Sequence, residues 1–99
     1  MKRINIVFDA NEEDVDIITV PDCVSDNISN VVQEFFDWLD STETHGLWRT
    51  DSDGLKYLEV ETDAFIKWVN MRYGNDGTEN AVLLLTHTKL NPNYNCAEF

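Results

Sequence analysis

The sequence predicts a small α+β domain, a mainly antiparallel sheet with two helices packed on one face, in the order β-β-α-β-β-α-β. Three observations predict it. Apolar residues alternate near the N-terminus, they switch to helical spacing after residue 25, and the succession of hairpin and helix then recurs before a last apolar run. A chain of 99 residues with 42% hydrophobic and 11% aromatic residues is one domain by size, and is too apolar for a disordered chain. Residues 1–89 are assigned to that domain and 90–99 to a C-terminal extension.

In 3-RINIVF-8, Ile4, Ile6 and Phe8 alternate with Arg3, Asn5 and Val7, the pattern of a strand buried mainly on one face. The polar link 9-DANEED-14 joins it to the β-branched run 15-VDIITV-20, closed by Pro21, so the two segments read as a hairpin. From there Ile28, Val31, Val32, Phe35, Phe36 and Leu39 follow the spacing of one helix face. Ser25 or Asp26 is the expected N-cap. Glu34, Asp37 and Asp40 fall on the side opposite the stripe.

The turn Asp51-Ser52-Asp53-Gly54 separates Leu47–Thr50 from Leu55–Val60, a second hairpin in which Gly54 supplies a positive φ. Thr62 is the expected N-cap of a second helix whose apolar side is Phe65, Ile66, Trp68, Val69 and Tyr73, with Gly74 at its end. The polar residues Asn75–Asn80 lead into 81-AVLLLTHT-88, an unbroken apolar run that reads as a central strand. In 90-LNPNYNCAEF-99, Asn and Pro interrupt any period, and Tyr94 or Phe99 is where this extension is expected to pack.

Charge narrows the function classes. Nineteen acids against seven bases give a formal net charge of −12, a field that repels nucleic acid and anionic membranes. From Ile4 through Trp48 there is no Lys or Arg at all. The start 1-MKRINIVFDANEED-14 reaches acids too early for a signal-peptide core, and 81-AVLLL-85 is far short of the ~20 residues of a membrane span. A cytoplasmic location is expected, with Cys23 and Cys96 as free thiols.

Motifs for catalysis and metal binding are weak. If Gly54 held the sixth position of a calcium loop, Arg49 and Val60 would occupy the first and twelfth, where acids are needed, and Gly77 fails in the same way by placing Arg72 first. The ligands available to zinc, Cys23, His45, His87 and Cys96, lack the close spacing that builds half a site on one turn. Asp22 beside Cys23 raises rather than lowers a thiol pKa, which disfavours a Cys–His nucleophile. No Gly-rich phosphate loop occurs. Neither cofactor nor metal is expected.

The charge pattern points instead to a non-catalytic binding protein of the inhibitor, immunity or nucleic-acid-mimic type, engaging a basic protein such as a nucleic-acid-binding protein or a toxin. Fixed carboxylates displace counterions from a Lys/Arg surface much as phosphates do. The candidate contacts are Glu12, Glu13, Asp14, Asp16, Glu34, Asp37, Asp40 and Glu43, with Trp38 and Trp48 as aromatic anchors where they are exposed. Trp68 reads as core. Two other classes stay open. An accessory or structural module binding by sheet-edge pairing or homodimerisation predicts an exposed apolar edge, whereas a small enzyme or ligand binder using Cys23, His45 or His87 predicts a deep pocket.

Overall fold

The alternating N-terminal residues set the sheet. In the computed structural model, which describes residues 1–42, 45–73 and 81–99, β1 (Lys2–Val7) and β2 (Val15–Val20) pair antiparallel, with Ile4 opposite Ile18 and Lys2 opposite Val20. Successive side chains on a strand point to opposite faces, so Ile4, Ile6, Ile18 and Val20 share one face. There they form the core with Val31, Phe35 and Leu39 of α2 (Ile28–Ser41) and with Phe65, Trp68 and Val69 of α3 (Thr62–Tyr73). Phe35 and Phe65 are fully buried and meet edge to face at 5.3 Å. Burying side chains of that size stabilises the fold by about 1.5–3 kcal/mol each.

The first helical stripe begins later than its polar residues suggest. A separate five-residue turn, α1 (Asp22–Asp26), precedes α2, and Asn27 between them has φ −124° and ψ 33°. Ser25 and Asp26 therefore do not cap α2. Ser25 is buried and accepts a hydrogen bond from Asn95 Nδ2, while Asp26 pairs with Lys2. Thr62 is likewise not a side-chain cap. The Glu61 carbonyl accepts the Ala64 and Phe65 amides, and the Thr62 hydroxyl donates instead to Asp16 on β2.

The second hairpin, β3 (Trp48–Thr50) and β4 (Lys56–Leu58), makes its own two-stranded sheet rather than extending the main one. Gly54 has φ 81° as its turn requires, and the Asp51 carboxylate accepts the Asp53 and Leu55 amides, both at 2.9 Å. Those bonds explain an Asp at a turn without any metal.

The main sheet runs β5-β2-β1-β6, with β5 (Val82–Thr88) and β6 (Asn95–Glu98) at its edges. Two expectations change here. The apolar run 82–88 is an edge strand, not a central one, and residues 95–98 form a strand parallel to β1 where a terminal extension was expected. An unbroken apolar run does not distinguish a strand with two neighbours from one with a single neighbour, since nothing in it reports hydrogen bonding.

Joining β5 to β6 takes the chain back across the sheet, because Thr88 lies opposite Val15 while Asn95 lies opposite Ile4. Residues 89–94 make that crossing on the face away from the helices. Asn5, fully buried, holds them: its Nδ2 donates to the carbonyls of Asn91 (2.9 Å) and Tyr94 (3.2 Å), and its Oδ1 accepts the Asn91 amide (2.9 Å). This is why Asn5 and Val7 are buried although the alternation suggests only one covered face. Phe99 then returns to the helix side, stacking on Phe8 at 5.3 Å and meeting Phe35 edge to face.

Candidate functional site

The most unusual surface is β5. Val82, Leu83, Leu84 and Leu85 are consecutive, and all four are exposed, from 38% for Leu83 to 56% for Leu85. The strand is fastened at both ends. At its start, the Asn70 side chain from α3 brackets Ala81, accepting its amide at 2.6 Å and donating to its carbonyl at 3.2 Å. At its end, His87 Nδ1 lies 2.8 Å from Asp14, and the Leu90 amide donates to the Glu12 carbonyl. Between these fastenings β5 pairs, among the described residues, with β2 on one side only.

The pairing is irregular. Leu83 lies opposite Ile18 and Leu85 opposite Ile17, so Leu84 is an extra residue, and a second irregularity between Ile17 and Val15 includes His87, whose φ is +52°. Bulges of this kind are one way edge strands limit unwanted pairing. Here they leave a four-residue apolar run open and end it at His87.

The carboxylates singled out from sequence are distributed among several tasks. Glu13 and Asp14 in the β1–β2 loop face Lys89 (3.8 Å) and His87 (2.8 Å). The Asp14 hydrogen bond and charge raise the His87 pKa above its ordinary value. Asp16 receives the Thr62 hydroxyl and so ties α3 to β2. Glu34, exposed, also reaches α3: Tyr73 donates to it at 2.6 Å and Arg72 stands 3.9 Å away. Desolvation, with that hydrogen bond second, pushes the Tyr73 hydroxyl up to about 12. Asp37 accepts from Gln33, while Glu12 and Asp40 are exposed. Glu43 lies outside the described residues, as do Gly74 and the loop Asn75–Asn80.

The stretch free of Lys and Arg is therefore partly compensated in three dimensions by bases from other parts of the chain. Lys2, Arg72, His87 and Lys89 all face acids of the N-terminal half. Pairs this exposed are screened by solvent and contribute little to stability. They do reduce the local field around Glu13, Asp14 and Glu34. Sequence separation hid these partners.

The aromatic candidates gather elsewhere. Trp38 stacks on Phe35 at 6.1 Å, His45 lies 5.3 Å from Trp38, and Trp48 stacks on His45 at 6.0 Å. Both tryptophans are half-buried, and the Trp48 indole donates to the Thr42 carbonyl. His45 Nδ1 accepts the Leu47 amide at 3.0 Å, which leaves Nε2 to carry the proton and donate to the Leu39 carbonyl at 3.0 Å. With both ring nitrogens engaged by backbone, His45 has no free atom for acid–base work or metal ligation. It serves as a brace between the end of α2 and β3.

Beside this brace a groove of about 390 Å³ opens between the end of α2, the β3–β4 hairpin and the outer face of α3, with Trp38, Trp68 and Met71 among its walls. His87 and Cys23 are exposed and lie outside it, and Cys23 and Cys96 are both free thiols. Among the described residues no three His, Cys, Asp or Glu side chains converge as a metal site would require, and no helix is long and apolar enough to cross a membrane.

No protein family matches the chain, no curated protein is significantly similar to it, and no solved structure matches it.

Proposed function

We propose that the protein is a non-catalytic cytoplasmic binding module that captures a basic protein partner along the open edge of β5. One observation carries this reading: Val82–Leu85 stand exposed on an edge strand that is fastened at both ends. An edge strand offers unpaired N–H and C=O groups to an added strand, and its side chains supply apolar contact on either face. The fastenings keep β5 extended before the partner arrives, which lowers the ordering cost of binding.

Charge favours a different protein over a second copy. Two copies each carrying −12 repel one another on approach, whereas a basic partner is steered in. Glu12, exposed in the β1–β2 loop beside the end of β5, and the outer acids Asp37 and Asp40 of α2 add to that field. Inhibitors and immunity proteins that block a basic nuclease or toxin work on the same physics. The β5 edge supplies the adhesive contact, and the carboxylates supply the sign of the partner.

The test compares wild type with Leu84→Thr/Leu85→Thr as bait, identifies captured proteins by mass spectrometry, and measures the mass of each bait alone by light scattering. The expected result is a monomeric bait whose wild-type form retains a basic protein that the double variant loses. A wild-type dimer dissolved by the same variant would assign the edge to self-association. Equal capture by both baits would remove β5 from the interface.

A further inference from the structure

We infer that the groove between α2, the β3–β4 hairpin and α3 binds an organic cation, a guanidinium or ammonium group on an apolar stem. This site stands apart from β5 and does not depend on the reading above. Two indoles line it, Trp38, half-buried, and Trp68, almost fully buried. Met71, exposed, offers a soft apolar wall for the stem. Indole faces attract cations through the ring quadrupole, and more strongly in a partly desolvated groove.

The charges lining the groove select the sign. Glu59 is taken by Arg49 at 2.9 Å. Glu61 and Asp63, at the α3 end of the groove, have no ion-pair partner among the described residues. His45 turns both ring nitrogens to backbone, Nδ1 accepting from the Leu47 amide and Nε2 facing the Leu39 carbonyl. Against these two free carboxylates stands one ammonium, Lys67, one helical turn after Asp63 on the same face of α3. The net charge of −12 reinforces the preference for cations. Lys67 then acts as an internal competitor for the position the ligand would take.

Two sources share this chemistry, an arginine or lysine side chain of a protein and a free polyamine. N-acetyl-arginine amide and spermidine are titrated separately at low ionic strength, with tryptophan emission and indole N–H NMR shifts as readouts. N-acetyl-citrulline amide, the same shape without the charge, is the control. The expected result is saturable binding of at least one cation, with the Trp38 indole shifted and no response to citrulline, and the tighter probe names the source. Glu61→Gln/Asp63→Asn, at two exposed positions, weakens binding about tenfold, and Lys67→Gln tightens it about threefold. An equal response to the citrulline control, or an affinity unmoved by the carboxylate variant, would overturn the assignment.

Discussion

The two edges of the main sheet solve the same physical problem in opposite ways. β6 is four residues long, carries Asn95 and Glu98, turns Ala97 into the core and lies under α2. It has little to offer an added strand, which is how natural sheets commonly protect an edge. β5 is seven residues long and exposes four consecutive large apolar side chains. Among the described residues its protection comes from backbone irregularity and from His87 at its far end. Leu55, Tyr57 and Met71 are exposed as well, but on β5 the exposed apolar residues are four in a row, and the comparison teaches where to look for a partner.

The largest effect is expected on the protected side. Asn5→Leu removes the amide that satisfies the crossing segment, leaving the Asn91 amide and two carbonyls without their buried partner. A loss of about 3 kcal/mol in urea unfolding is expected. A loss below about 0.5 kcal/mol would show that β6 and its crossing are not integral to the fold.

Next, Ala97→Leu forces a larger side chain into a fully buried position on β6 and is expected to cost about 1–3 kcal/mol. The matched change on the other edge, Leu85→Thr, should alter stability by no more than about 0.5 kcal/mol because Leu85 is more than half exposed. Equal costs at the two positions would contradict the asymmetry between the edges.

The smallest effect concerns the fastening at the end of β5. The His87 pKa is raised in the folded state by Asp14, so its contribution is fully present below the unfolded value near 6.5 and is lost as pH rises through the folded value. Amide exchange at Thr86–Thr88, corrected for its intrinsic pH dependence, should quicken over that interval. Asp14→Asn should flatten the profile, and a profile unchanged by that substitution would separate the fastening from the Asp14–His87 pair.

Much of the fold was legible because its periods are local. The β1–β2 hairpin, the stripe Val31-Phe35-Leu39, the Gly54 turn and the helix 62–73 all follow from spacings within a few residues. Ser25 and Thr62 misled because a hydroxyl at a helix start has the same local signature whether it caps that helix or bonds a distant partner, and here the partners are Asn95 and Asp16. The candidate site was legible only in part. Trp38 and His45 do border a groove, yet the carboxylates chosen beside them are scattered, and several face bases that sequence places 38 to 76 residues away.

By itself the sequence determined the class of domain, most of its elements and the sign of its field, since composition and nearest-neighbour periodicity suffice for these. Only the tertiary structure decided which strands became edges, that 95–98 joined the sheet, and that the apolar run 82–85 faces outward. Those outcomes depend on which groups find partners across the chain, and Asn5 and Asp14 contribute through hydrogen bonds to residues far away in sequence.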